Sequence, residues 1–277
     1  MVEYVIANCT ITPVRQEPSE GSEQLTQLLF GEVCEVLDRL PRWTKIHSTL
    51  DGQEGWVDFK MLTSAHIPYP ISHIQAVVAI PMAIATAMET GEELMLTLGT
   101  RLPNYAHGTF EVLGKQYLID PACVNTALST ASIASDLPST GANADIQRSD
   151  LATIAQSLLN APYLWGGKNA MGMDCSGFTQ VVYATQGVNL LRNAREQITQ
   201  GELVPSLVEA QPGDLAFFDH ADRDPKATNI SHVGLLLSPT KIIHCSGCVH
   251  IDTIDDQGIH LPNDELTHHL VQIKRYL

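Results

Sequence analysis

Positive charge is what this sequence is short of: 16 lysines and arginines stand against 31 aspartates and glutamates, a formal charge of -15 at pH 7. Such a surface repels phosphate backbones and anionic headgroups, so neither nucleic acid nor a membrane is an expected partner. Long apolar runs are missing too. No window approaches the roughly 18 apolar residues of a spanning helix. The start, "MVEYVIANCTITPVRQEP", has no basic stretch followed by an apolar core, so no signal peptide is read there. Cysteine is sparse: the six residues at 9, 34, 123, 175, 245 and 248 are too scattered to staple 277 residues together. Reduced thiols in a cytoplasmic protein are the simpler expectation.

What is present is enough apolar material, 44% of the chain, for two or three separate cores. Up to residue 65, short alternating runs such as "EVCEVLDRL" and "WTKIHSTL" are separated by turn residues, including "LDGQEG", which predicts a small β domain. From 66 to 125, "HIPYPISH" leads into apolar and strand-like pieces such as "GTFEVLGKQYLID", consistent with a second, degenerate β unit. No matched repeat joins the two, since Gly55-Trp56-Val57 occurs once. The small, polar stretch "STASIASDLPSTGANAD" reads as a linker, set at 126–148.

The last region, 149–277, changes character. "LATIAQSLLN" has helical spacing with Ser149 or Asp150 as its cap, and "APYLWGG" then breaks the chain. "CSGFTQVVYATQG" predicts a second helix that carries Cys175 in its first turn and stops at Gly187. "GDLAFFD", "SHVGLLLS", "KIIHCSG" and "HLVQIKRYL" read as strands. Helices followed by strands indicate an α+β domain.

A cysteine by itself is ordinarily a small core hydrophobe, and a strand histidine ordinarily a satisfied one. A thiol at a helix N-terminus, however, sits where the macrodipole favours the thiolate, and a neighbouring imidazolium adds to this. His232 heads one apolar strand and His244 ends the next. If those strands pair through the turn near "SPTK", the two rings meet, one as base and the other as its orienter. A metal reading competes, because "HCSGC" offers His244, Cys245 and Cys248 as three zinc ligands; with no second cysteine pair, no metal and no cofactor is expected.

Two resemblances bear on these readings. The segment from "VRQEPSEG" to "GQEGWVD" resembles a bacterial SH3-like barrel. "YLWGGKNAMGMDCSGFTQVVY", "QPGDLAFF", "ISHVGLLL" and "IIHCSG" together resemble the NlpC-type, papain-like cysteine peptidases that cut cell-wall peptides. The second resemblance implies Cys175 as nucleophile, His232 as base, His244 as the third polar member and the Tyr163 hydroxyl as an oxyanion donor. The order of barrel then peptidase looks like that of the γ-D-glutamyl-L-diamino-acid endopeptidases, which release L-Ala-D-Glu from murein peptides with a free L-Ala amine. A small murein peptide taken up in cell-wall recycling is then the expected substrate. A free ammonium calls for a carboxylate. Asp174 is the first choice, with the Ser176 hydroxyl beside it, and Glu54 and Tyr69 follow. Where relatives read Arg-Asp, "LLRNAREQ" has Asn193, which trades a charge-assisted contact for a neutral one. A peptide-binding module or an acyltransferase on the same fold are the alternatives.

Overall fold

The computed structural model describes residues 2–65, 74–126, 142–220, 229–263 and 265–277. Tyr69 and residues 127–141 of the expected linker lie outside these.

Alternation of buried and half-buried residues, as along "ITPVR" and "WTKIHS", gives seven short strands in the first region. They are β1 (Tyr4–Ala7), β2 (Ile11–Arg15), β3 (Gln24–Leu29), β4 (Val33–Arg39), β5 (Trp43–Ser48), β6 (Glu54–Asp58) and β7 (Leu62–Ala65). They form one antiparallel sheet in the order β3-β2-β6-β5-β4-β1-β7, wrapped around Val5, Val14, Leu28, Ile46 and Val57.

Seven further strands follow: β8 (Ile74–Val78), β9 (Met82–Ala87), β10 (Glu93–Thr97), β11 (Arg101–Pro103), β12 (Thr109–Val112), β13 (Lys115–Ile119) and β14 (Val124–Asn125). They make two small sheets, β10-β9-β13-β12 and β11-β8-β14. Their shared core of Ala83, Ala85, Leu96, Phe110 and Ile119 also takes in Ile6, Phe30 and Val33 from the first sheet. The two β units are therefore packed as one body.

The last region opens with α1 (Ala142–Ser157), which begins well before the expected cap. Ser149 and Asp150 lie inside it, because "ANADIQRSD" contains no residue that breaks a helix and good formers at Ala142, Ala144, Gln147 and Arg148. After the short pair β15 (Lys168–Asn169) and β16 (Gly172–Met173) come α2 (Cys175–Ala184), α3 (Ala194–Gln197) and β17 (Glu202–Val204). The remaining strands are β18 (Leu215–His220), β19 (His232–Ser238), β20 (Lys241–Ser246), β21 (Cys248–Ile254), β22 (Gly258–His260) and β23 (Leu266–Arg275). These last seven strands form an antiparallel sheet, β17-β23-β18-β19-β20-β21-β22. One face packs Phe217, Val233, Leu235 and Ile243 against Phe178, Val181 and Val182 of α2; the other buries Phe218, Leu236, Ile242 and Ile259. Among the described residues only three α-helices occur, so the chain is mostly sheet rather than an even α+β mixture.

Candidate active site

The loop before α2 turns sharply into the helix at Asp174, whose extended backbone and side chain cap it: Oδ1 accepts from the Gly177 amide at 2.7 Å. The same carboxylate takes both arms of the Arg192 guanidinium, at 3.0 and 2.6 Å. Arg192 is only 1% exposed. This bidentate pair fixes the helix start, and with it Cys175, the first helical residue. The Val233 amide hydrogen-bonds to Cys175, which brings the thiol beside the head of β19, next door to His232.

β19 and β20 pair with Gly234 opposite His244. A Cβ at Gly234 would lie 2.8 Å from the His244 Cβ and 2.7 Å from Ile242 Cδ1, so glycine makes the space in which His244 stands next to His232. His232 Nε2 and His244 Nδ1 are 2.8 Å apart. β21 continues the series: His244 Nε2 lies 3.1 Å from Asp252 Oδ2. The hydrogen-bond network assigns the protons. A carboxylate only accepts, so His244 carries its proton on Nε2 and offers Nδ1 as acceptor; His232 then donates from Nε2 and keeps Nδ1 as its own acceptor. Burial lowers the His244 pKa, which keeps that ring neutral, while Asp252 works against the shift. His268 stacks on His232 at 4.5 Å between centroids. The series His232–His244–Asp252 thus runs across β19, β20 and β21, beginning one residue from the Val233 amide that bonds Cys175.

The thiol differs from its expected ionised state. Burial, with the Asp174 carboxylate adding to it, pushes Cys175 up to about 12, and the Val233 and Ser176 amides and Arg192 oppose this without overcoming it. The helix terminus alone does not make a thiolate here, because burial, and after it the negative cap, outweigh it. The proton has to pass to His232 as the reaction begins.

Cys175 opens onto a cavity of about 650 Å³. Tyr163, Asp174, Ser176 and Asn193, all candidates from the sequence, line it. Burial, with Cys175 and Asp174 nearby, raises the Tyr163 hydroxyl, which therefore stays a donor. Asp174 already accepts five hydrogen bonds, from Gly166, Ser176, Gly177 and twice from Arg192, so an ammonium there shares a satisfied carboxylate. Ser176 is held in the same cluster, accepting from Arg192 at 2.9 Å. Asn193 caps α3 and donates to Glu196 at 2.9 Å. Glu54 is half exposed, pairs with Lys45 and His47, and is not among the residues that line this cavity, because alternation along β6 sends it to the outer face. The zinc trio also fails. Neighbours on a strand face opposite ways, and Cys245 points into the core, where its thiol donates to the Met173 carbonyl. All six cysteines are free thiols.

Several cavity residues went unassigned from the sequence. Glu23 and Asp51 come from loops of the first β unit, just before β3 and between β5 and β6, Trp165 from the loop before α2, and Arg195 and Glu196 from α3. Burial alone would raise the Asp51 carboxyl, but Lys168, Ser48, Gln180 and the Gln53 amide hold it below the usual range, so it is charged. Asp252 was readable in principle: Gly247, with φ of 73°, centres the β20–β21 turn, which puts His244 opposite His250 and Asp252 two residues on.

A helix that presents a thiol to imidazoles on an adjoining antiparallel sheet is the division of labour of a cysteine peptidase, and that is the class this fold and site define. The chain belongs to the NlpC/P60 family. The NlpC/P60 family model matches residues 160–271, and the bacterial SH3 domain model matches residues 12–63. The chain is 30% identical over 231 residues to a gamma-D-glutamyl-L-lysine dipeptidyl-peptidase of Bacillus subtilis (strain 168), covering 79% of this chain and 71% of that one. A protein of the same name from Bacillus cereus (strain ATCC 10987) is 28% identical over 234 residues, a match that covers 79% of this chain and just under two-thirds, 66%, of the relative. Among solved structures, an NlpC/P60 family protein from Bacillus cereus ATCC 10987 has a TM-score of 0.77 at 20% identity over 99% of each chain, a likeness of fold. Among the described residues no helix is long and apolar enough to cross a membrane.

Proposed function

We propose that the chain hydrolyses the γ-D-glutamyl bond to the diamino acid in murein peptides that begin with a free L-Ala, releasing L-Ala-D-Glu. The observation that carries the reading is the His232–His244–Asp252 series, with Val233, the neighbour of His232, bonded to the Cys175 that opens onto the cavity. His232 Nδ1 takes the thiol proton as sulfur attacks the carbonyl carbon. The oxyanion meets the Cys175 amide, which in the first turn of a helix has no intrahelical acceptor, and the Tyr163 hydroxyl. One such donor lowers the barrier by about 3 kcal/mol. His232 returns the proton to the leaving amine, and water then releases the acyl group.

Charge supports the choice of end group. Among the described residues, Glu23, Asp51, Asp174 and Glu196 line the cavity with one cation, Arg195, an environment suited to an ammonium. Small soluble fragments from wall turnover, in the cytoplasm, are the proposed substrates. The names of the two Bacillus relatives support the same bond. An acyltransferase would differ only in using an amine in place of water.

The test compares L-Ala-γ-D-Glu-L-Lys with the same tripeptide acetylated on L-Ala, with product read by mass spectrometry. Cleavage of the free form, none of the acetylated form, and none of either by Cys175→Ala are expected. Equal rates on the two peptides would refute end recognition, and undiminished turnover by Cys175→Ala would refute the mechanism.

A further inference from the structure

We propose that His244, His250 and Asp252 form a binding site for zinc whose occupation switches the catalytic imidazole off. The site is argued from the side chains alone; the switch rests on the peptidase reading above.

The three groups are brought together by the β20–β21 hairpin. His244 faces His250 across the two strands, and Asp252 shares a face with His250 because the strand repeat is two. Their ligand atoms all lie within 4.8 Å of one another, and Asp252 Oδ2 is 3.1 Å from the Nε2 of each ring. Tetrahedral zinc with bonds of about 2.0–2.1 Å holds its ligand atoms about 3.3 Å apart. The two spacings to Asp252 Oδ2 are within a few tenths of an ångström of that, and the two imidazole nitrogens lie within 4.8 Å of each other.

His250 supplies a second, independent observation. Its Nδ1 donates to the Cys248 carbonyl at 2.8 Å, so in the neutral ring the Nε2 lone pair is directed at Asp252 Oδ2, 3.1 Å away. A lone pair and a carboxylate oxygen at that distance repel unless a cation lies between them. A proton is one such cation and a metal ion the other. A ligand imidazole anchored through its second nitrogen to a backbone carbonyl is the usual arrangement in metal sites. Two imidazoles and one carboxylate, with room for water as the fourth ligand, suit zinc; magnesium and calcium take oxygen donors. The His244 side chain is 2% exposed and Asp252 9%, but His250 is 32% exposed, so an ion enters past His250.

Zinc at Nε2 of His244 changes the protons farther in. Without metal, His244 holds its proton on Nε2 and accepts from His232 Nε2. Metal takes the Nε2 lone pair, so the His244 proton moves to Nδ1. Nδ1–H now donates to His232 Nε2, whose own proton moves to Nδ1. Each ring keeps one proton and nothing is oxidised. His232 Nδ1 has become a donor and no longer accepts the Cys175 proton.

Zinc also binds catalytic thiols directly, so the test removes that route. Full-length Cys175→Ala is titrated with zinc by calorimetry, beside Cys175→Ala/His250→Ala and Cys175→Ala/Cys248→Ser. We expect one zinc per chain in the first, loss of that equivalent with His250→Ala, and its retention with Cys248→Ser. No binding by Cys175→Ala, or unchanged binding after His250→Ala, overturns the site. Turnover of the tripeptide is then compared in chelator and in saturating zinc. Zinc acting on the thiol is common to both, so the wild type should lose at least tenfold more than His250→Ala; equal losses in the two, or full activity of the zinc-loaded wild type, overturn the switch. A wild type inactive even in chelator overturns the peptidase reading, and the switch with it, while the metal site is decided by calorimetry.

Discussion

Replacing Asp252 by asparagine should harm turnover more than replacing it by alanine, even though asparagine is the closer mimic in shape. Asp252 Oδ2 serves two rings, His244 Nε2 and His250 Nε2, each at 3.1 Å. Alanine removes one charge-assisted hydrogen bond to His244, worth about 1.5–3 kcal/mol, or about 10- to 100-fold in rate if all of it orients the base. In Asp252→Asn an amide group takes that place. His250 presents a lone pair there, because its Nδ1 proton is given to the Cys248 carbonyl. The asparagine NH2 satisfies His250 and, from the same atom, donates to His244 as well. His244 must then carry its proton on Nδ1, and His232 acquires the tautomer that cannot take a proton from sulfur. The equivalent exchange in a Ser-His-Asp triad costs about 10⁴-fold. We therefore expect kcat/KM on the free tripeptide, in chelator, to fall about 30-fold for alanine and about 10³- to 10⁴-fold for asparagine, with thermal unfolding confirming that both variants are folded. An asparagine variant as active as the alanine one would refute the proton assignment.

Gly234→Ala should abolish turnover at modest cost in stability, since its Cβ would meet His244 Cβ at 2.8 Å and displace the ring; wild-type kcat refutes this. Arg192→Met leaves the Asp174 carboxylate without its bidentate partner in the interior, at a cost of about 3–5 kcal/mol by calorimetric unfolding, and a loss below about 1 kcal/mol would contradict it. In His232→Ala, alkylation of Cys175 by iodoacetamide, followed by peptide mapping, should still be climbing at about pH 10. The thiol is neutral below its pKa and reacts as thiolate above it, and burial pushes that pKa up to about 12. Levelling near pH 8.5 would refute the account.

How far the sequence discloses this depends on the range of the interactions. Cys175 was legible because its neighbours are local: a capping aspartate one residue before and an apolar helix after. His232 and His244 were legible because two strands joined by a short turn pair at once. Asp252 needed the register of the next hairpin, and Arg192 needed knowledge that a loop 18 residues on folds back on Asp174. The second β unit was indistinct because its strands bury alanines, at 76, 83, 85 and 87, which carry little periodic signal. The early start of α1 was hidden by polar residues that a linker would equally contain.

The least legible feature is also the one that separates an enzyme from a peptidase fold with a tethered binding module. The first sheet is bonded into the nucleophile's own supports. Thr26 accepts from the same Arg192 that holds Asp174, and Asp51 accepts from Gln180, within α2 itself. Lys168, just before the nucleophile helix, is paired with Glu32 at 3.0 Å, both side chains buried, and its amide donates to Gln27. Gly166 lies so close to β3 that a Cβ there would be 2.3 Å from the Gln24 carbonyl oxygen. A module that merely delivers substrate has no need of such bonds, because its affinity and the enzyme's chemistry would be separable. Here the barrel supplies Glu23 and Asp51 to the same cavity onto which Cys175 opens, so part of the cavity wall is built on the framework that holds the sulfur.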